Sequence, residues 1–176
     1  MIGNDEKIQG EHIYLRKLTE DDASDAYASW LNDKEVNEFL ETRWATAREL
    51  REYIVKHRAD PNSFFAGVFD RSNDCHIGNV KLEPIDWKNK KAIFGILIGD
   101  KSYWGKGYGT EATYLITDFA FNTLNLHEVQ LGVIANNTRA LHVYEKIGFM
   151  TTDVRKATIN HGGVLLDEVV MQLKKK

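Results

Sequence analysis

The sequence predicts a mixed α/β fold, in which one mostly antiparallel sheet carries helices on both faces. Apolar periodicity and turn signals indicate the element order β-α-α-β-β-β-α-β-α-β-β. The two central strands are connected through a helix, and strands joined in this way are expected to be parallel. The length of 176 residues and the hydrophobic content of 43% predict a single domain, residues 1–176, with its own core.

The first elements are a strand and a helix. Residues 12–17 alternate between apolar and polar side chains, as a strand does. Thr19 and Asp22 form a capping-box pattern, which predicts a helix that extends to about residue 32. The following segment, residues 34–45, is expected to contain a short helix and a loop.

A second helix and three strands come next. Thr46 and Glu49 repeat the capping-box pattern, and the helix that they open is expected to end before Pro61. Polar breaks separate the three apolar runs that follow, as hairpin turns would. These predicted strands are Phe64–Phe69, Ile77–Ile85 and Ala92–Ile98.

The last part of the chain predicts two helices and three strands, of which the last two form a hairpin around two glycines. The expected elements are a helix at about 107–124, a strand at 129–134, a helix at 138–147, and strands at 149–159 and 164–173. The strands at 92–98 and 129–134 are the expected parallel pair.

Composition excludes several classes of function. With 23 basic and 26 acidic side chains, the net charge is −3, which argues against a nucleic-acid partner because such proteins need a basic field. Cys75 is the only cysteine, so no internal disulfide forms, which is typical of a reducing compartment. The first residues do not contain a basic stretch followed by an apolar one, as a secretory signal would. No apolar run in the sequence is long enough to cross a bilayer. We therefore expect a cytoplasmic protein without a membrane partner.

The strongest local motif is a glycine-rich run between a predicted strand and a predicted helix. It comprises Trp104, Gly105, Lys106, Gly107, Tyr108, Gly109 and Thr110. The glycines allow a sharp turn and close approach of a ligand, and the first amides of the helix have no internal partner, so they can bind phosphate. The spacing differs from the dinucleotide fingerprint and from the P-loop. A plain glycine turn is the other interpretation.

A second motif lies at the start of the last helix. Asn137 is a good N-cap residue, and Tyr144 follows seven residues later, on nearly the same helix face and roughly 10 Å further along the axis. The two side chains could line an extended ligand. Alternatively, Asn137 only caps the helix and Tyr144 only packs.

Taken together, the two motifs resemble the Gcn5-related N-acetyltransferase (GNAT) superfamily. Within this superfamily, the sequence more closely resembles the branch that contains the ribosomal-protein-alanine acetyltransferases and spermidine acetyltransferase. The pyrophosphate loop of the family is Gln/Arg-x-x-Gly-x-Gly/Ala, and the run from Trp104 to Gly109 fits it with Trp in place of Gln or Arg. The resemblance implies that acetyl-CoA binds to the amides of residues 105–110 and that its pantetheine arm lies between the two central strands.

The resemblance also implies a reaction, the attack of a primary amine on the thioester of acetyl-CoA. Asn137 matches the asparagine that contacts the coenzyme arm, and Tyr144 matches the tyrosine that protonates the leaving thiolate. Backbone N–H groups near Leu97 and Ile98 are expected to stabilise the oxyanion. The alternative is a non-catalytic acyl-CoA-binding regulatory protein with the same fold.

The general base is not evident from the sequence. Many relatives have a glutamate in the strand before the loop, and Ile93 stands at the matching position. Glu83 or Glu41 could supply a base, or the amine could lose its proton through water. The absence of the usual carboxylate predicts that no single carboxylate is indispensable.

The acceptor is expected to contact the first helices and their loop. Glu41, Arg43 and Trp44 bring charged and aromatic groups together there, and Trp87 could line the mouth of the site. An amino-sugar nucleotide, a polyamine and a protein N-terminus all remain open as acceptors, and a homodimer is open as the assembly. The histidines show no metal-ligand spacing among themselves or with Cys75, so we expect no metal.

Overall fold

The structure is a computed structural model, which describes residues 6–40 and 44–176. Within these residues eight strands form one sheet, in the spatial order β1-β2-β3-β4-β5-β6-β8-β7. The β5–β6 pair is parallel and every other neighbouring pair is antiparallel. The strands are β1 Ile8–Gln9, β2 Ile13–Lys17, β3 Phe64–Asp70, β4 His76–Asp86, β5 Lys91–Ile98, β6 Glu128–Ile134, β7 Met150–His161 and β8 Val164–Lys174.

Helices cover both faces of this sheet. The helices are α1 Asp25–Asn32, α2 Ala47–Ala59, α3 Tyr108–Asp118 and α4 Thr138–Ile147. Strand alternation divides the core into two layers: Ile13 and Leu15 pack in the layer of α3 and α4, whereas Tyr14 packs in the layer of α1 and α2. The expected mixed sheet with helices on both faces is confirmed.

The parallel pair separates soon after it forms. β5 and β6 pair only at Lys91–Glu128, Ala92–Val129 and Ile93–Gln130. Beyond that point β5 stays paired with β4, up to the Gly78–Ile98 pair, and β6 stays paired with β8, up to the Ile134–Glu168 pair. A wedge therefore opens in the middle of the sheet.

A bulge in β4 lies opposite the start of this wedge. Leu82 pairs with Phe94 and Ile85 pairs with Ala92, so Glu83 and Pro84 together oppose the single residue Ile93. Bulges of this kind bend a strand and redirect its side chains.

The helix that we expected from Thr19 to residue 32 is wrong in its first part. Only a 3₁₀ turn, Glu20–Asp22, follows Thr19, and a new cap at Ser24 then starts α1. The Asp22 carboxylate accepts two hydrogen bonds from the Arg16 guanidinium, at 2.7 and 2.8 Å, as well as those of Thr19. This anchor ties the turn to β2, and Ala23 leaves the helical conformation, with ψ at 70°.

Other elements differ less from the prediction. Residues 34–40 form hydrogen-bonded turns and no helix, because the Asp33 side chain accepts from the amides of Glu35 and Val36. The two-residue strand β1 was not predicted, since two residues are too short for a periodic signal. The helix α3 ends in a π turn at 119–123, within the predicted span. In the described part of the chain no helix combines the length and the apolarity that a bilayer crossing requires.

Candidate active site

A large cavity crosses the sheet through the wedge between β5 and β6. Its volume is about 1240 Å³. On one face of the sheet Tyr27 and Tyr53 line it, and on the other face Thr113 and Tyr144 do. The cleft also takes in most of the predicted coenzyme-binding positions: Leu97, Ile98, Trp104, Gly105, Gly107, Tyr108, Gly109, Thr110 and Asn137. Lys106 is exposed and outside the cleft wall.

The glycine-rich loop turns into α3 at the end of the wedge. Gly105 and Gly107 have φ values of 75° and 90°, in the left-handed region that glycine adopts without strain. The first helical bond runs from the amide of Glu111 to the carbonyl of Gly107, so the preceding amides at the start of α3 have no acceptor within the helix. Such amides, at the positive end of the helix dipole, are suited to an anion.

Trp104 attaches the loop to β5. Its indole Nε1 donates to the carbonyl oxygen of Ile98 at 2.7 Å. The Arg139 guanidinium lies over the Trp104 ring, 5.4 Å from the ring centroid, and a Cβ added to Gly105 would be 4.0 Å from Arg139 Nη2. A cation from α4 therefore lies beside the glycine loop. Sequence reasoning missed Arg139, because its position depends on how α4 docks rather than on any spacing.

Asn137 and Tyr144 both reach the cleft from α4. The Asn137 Oδ1 accepts from the amide of Ala140 at 3.2 Å, so this residue caps the helix. The Tyr144 ring packs edge-on to Phe94, with centroids 6.2 Å apart, and only 8% of the residue is exposed. Burial raises the pKa of Tyr144 to about 12, because the phenolate form loses solvation. The phenol consequently stays protonated, as a general acid must be, throughout the neutral range.

Glu83 lies in the cleft wall, beside a buried histidine. His57 Nδ1 is 2.9 Å from Glu83 Oε2, and Lys81 Nζ is 3.9 Å from the same oxygen. His57 is 6% exposed and packs against the Tyr53 ring at a tilt of 49°, with centroids 4.0 Å apart. Sequence reasoning did not select His57, because 26 positions separate it from Glu83 and only the packing of α2 on β4 brings them together.

Of the four residues that we expected to contact the amine acceptor, the structure describes two, Trp44 and Trp87. Trp44 lines the cleft and is 66% exposed. Glu41 and Arg43 lie outside the described residues. Trp87 lies outside the cleft wall, because its indole Nε1 donates to the carbonyl of Pro61 at 3.2 Å and holds the ring on the turn after β4. The expectation that Trp87 lines the mouth is therefore corrected.

Among residues 6–40 and 44–176, no three His, Cys, Asp or Glu side chains are grouped so that they could hold a metal ion. The cleft wall itself presents a phenol, carboxylates and the first backbone amides of α3.

Comparison with known proteins identifies the family. The family model described as an acetyltransferase (GNAT) domain matches residues 12–150, which is most of the chain. The chain belongs to the GNAT acetyltransferase family. It is 29% identical over 175 residues to the Bacillus subtilis protein named probable N-acetyltransferase YjcK, covering 94% of this chain and 96% of that one. It is 32% identical over 112 residues to a spermidine N(1)-acetyltransferase from Vibrio cholerae, covering 64% of each chain.

A solved structure agrees with the fold. The spermidine N-acetyltransferase from Vibrio cholerae, in complex with CoA and spermine, superposes with a TM-score of 0.86 at 26% identity and covers 94% of this chain and 96% of that one. GNAT acetyltransferases use acetyl-CoA as the acetyl donor. The protein is accordingly an N-acetyltransferase, and the resemblance inferred from the two motifs is confirmed.

Proposed function

We propose that this GNAT protein transfers the acetyl group of acetyl-CoA to the primary amine of a small cationic molecule, with Tyr144 as the general acid. The observation that carries the proposal is the continuous cleft from the glycine loop, through the wedge between β5 and β6, to Tyr144. A cleft of this form offers an anion site at one end, strand edges in the middle and a proton donor at the other end.

The shape of the cleft supports the binding of acetyl-CoA, which when bound supplies an activated acetyl thioester. The amides at the start of α3, together with the Arg139 guanidinium, would hold the pyrophosphate. Because β5 and β6 no longer pair beyond Ile93, the backbone near Leu97 would be available to the pantetheine arm, as another strand would be. A Cβ at Gly107 would meet no protein atom within 4 Å, so the loop surface there is open to a ligand.

The burial of Tyr144 supports its role as the acid. Its phenol has no hydrogen-bond partner among the described residues, and its raised pKa keeps the proton on the oxygen throughout the neutral range. The phenol would donate this proton to the sulfur as the C–S bond breaks and negative charge develops there. Asn137, at the N-terminal end of α4, would contact the arm with the amide nitrogen that its capping bond leaves unused.

The charge of the cleft supports a cationic acceptor. Among the described residues on the α1–α2 face of the cleft, the carboxylates outnumber the lysine and arginine side chains: Glu35, Glu38, Glu49 and Glu83 against Lys81. Polyamines, which are the substrates in the names of the spermidine acetyltransferase relatives, are attracted by such a surface. The pyrophosphate of an amino-sugar nucleotide would be repelled by the same carboxylates.

The acceptor class can be tested by measuring thiol release from acetyl-CoA with spermidine, an amino-sugar nucleotide and a peptide N-terminus. We expect the highest kcat/KM with spermidine, falling as the ionic strength rises, because attraction between exposed charges is screened by salt. A higher value with the sugar nucleotide or the peptide would contradict the cationic acceptor. Tight acetyl-CoA binding without release for any amine would favour the non-catalytic alternative.

The glycine loop can be tested with a matched pair of variants, Gly107→Val and Gly163→Val. The two glycines have φ values of 90° and 88°, and neither Cβ would meet an atom within 4 Å. Each change should cost about 1–2 kcal/mol of stability from backbone strain. Only Gly107→Val should abolish acetyl-CoA binding in calorimetry, since Gly163 lies in the β7–β8 turn. Equal affinity in both folded variants would refute the proposed loop site.

Tyr144→Phe separates the acid from the packing role. The ring contacts with Phe94 persist, so the melting temperature and the acetyl-CoA affinity should change little. The kcat should fall by about two to four powers of ten, the usual range for a positioned acid. Tyr114→Phe serves as the control, because Tyr114 is 48% exposed on α3 and lies outside the cleft wall. A kcat of Tyr144→Phe within a few-fold of wild type would exclude the acid role.

Arg139→Gln tests the proposed phosphate contact. The Kd for acetyl-CoA should rise about tenfold, which corresponds to about 1.4 kcal/mol. S-acetylpantetheine, which lacks the phosphates, provides the control: its kcat/KM should be the same for wild type and variant. A variant with both a higher Kd for acetyl-CoA and a lower kcat/KM for S-acetylpantetheine would indicate that Arg139 supports the fold of the loop and does not contact phosphate.

A further inference from the structure

We infer that Glu83 accepts the proton of the acceptor ammonium and that His57, behind it, is the residue that positions this carboxylate. The inference rests on the proposed function, since it concerns the same amine. In the step, one N–H bond of the ammonium breaks, its electron pair stays on nitrogen, and the proton forms an O–H bond with Glu83. The neutral amine is then the nucleophile.

The bulge in β4 places Glu83 where a base is needed. Glu83 opposes Ile93, the last residue of β5 that pairs with β6, so it lies at the closed end of the wedge. The next residue of β5, Phe94, contacts the ring of Tyr144 on the other face of the sheet. The carboxylate and the phenol thus approach the same short stretch of β5 from opposite faces. An amine between them could lose its proton on one side while the thiolate gains a proton on the other.

The contact between His57 and Glu83 leaves the carboxylate able to accept a proton. The His57 ring directs Nδ1 toward the Ser63 hydroxyl, at 3.2 Å, while Glu83 Oε2 lies 2.9 Å from the same nitrogen but off the direction of a hydrogen bond. Oε2 is buried and has no hydrogen-bond partner among the described residues. A buried acceptor without a donor is costly and would be satisfied by a donor from a ligand.

The charge state of His57 should control this carboxylate. Burial lowers the pKa of His57, and the nearby Glu83 opposes that shift only in part, so the imidazole is neutral through the neutral range. The other charged groups that act on the ring are Lys81 on β4 and Lys56 and Asp60 at the end of α2. Below its pKa, an imidazolium 2.9 Å away would hold Glu83 in an ion pair and compete with the substrate proton.

This assignment is an alternative to the expectation, drawn from Ile93, that no single carboxylate is indispensable. The carboxylate that relatives place on β5 would instead come from the adjacent strand, moved into position by the bulge. His57 does not line the cleft, so it does not touch the substrate and acts only through Glu83.

The experiment measures kcat/KM for spermidine, with saturating acetyl-CoA, from about pH 5 to 9 in wild type, Glu83→Gln, His57→Gln and His12→Gln. His12 is the matched control, because its Nδ1 lies 3.1 Å from a Glu111 carboxylate oxygen, outside the cleft. Dividing the kcat/KM of each variant by that of wild type at the same pH cancels the effect of the ionisation of the amine itself. Calorimetry with acetyl-CoA and the melting temperature check that each variant is folded.

Glu83→Gln should lower kcat/KM by about a hundredfold or more, with acetyl-CoA affinity unchanged. His57→Gln should lower kcat/KM less and reduce the decline of activity that protonation of His57 causes at acidic pH, because an amide does not titrate there. His12→Gln should match wild type at every pH. If Glu83→Gln is misfolded, Glu83→Ala with added formate should recover activity, since formate can replace the missing carboxylate.

Other results would overturn the inference. If the kcat/KM of Glu83→Gln is within a few-fold of the wild-type value, Glu83 is not the proton acceptor. The same conclusion follows if formate does not restore the activity of Glu83→Ala. An unchanged acidic decline in His57→Gln would limit His57 to packing. Wild-type protein that releases no thiol with any amine would overturn the proposed function itself, and with it this inference.

Discussion

The separation of β5 from β6 after Ile93 and Gln130 is the constraint on which the rest of the site depends. β4 pairs with β5 and β8 pairs with β6 along their remaining lengths, which holds the two strands in the sheet while they diverge. Backbone N–H and C=O groups in the middle of a sheet need partners, so those that face the gap need water or a ligand. The cleft, the glycine loop and Tyr144 are all arranged around this opening.

Much of this arrangement could be predicted from the sequence, because its signals are local. The run from Trp104 to Thr110 lies at the start of α3, and Asn137 and Tyr144 lie on α4 and its cap. Spacing within one element is enough to predict these positions. The contacts that sequence reasoning missed are all between elements. His57 reaches Glu83 only through the packing of α2, and the Arg16–Asp22 ion pair stops a helix that the capping pattern predicted.

Two positions depart from the family pattern, and in both cases the structure offers the missing group from a neighbouring element. Trp104 stands where the family has Gln or Arg; its indole bonds to Ile98, and the cation beside the loop comes from α4 as Arg139. Ile93 stands where relatives have glutamate, and the carboxylate nearest to it across the sheet is Glu83 on β4. A comparison of motifs counts both positions as lacking the family residue. It compares residue types at one sequence position, and not the chemical groups that reach one place in the structure.

The different surroundings of the two proposed proton-transfer groups match their opposite tasks. Tyr144 is buried among aromatic rings, which favours its neutral form and keeps its proton available. Glu83 is partly open to the cleft, and Lys81 Nζ lies 3.9 Å from its Oε2. The two groups lie on opposite faces of the sheet and line the same cleft. Substrates in the wedge could therefore exchange protons with both of them, the amine with Glu83 and the sulfur with Tyr144.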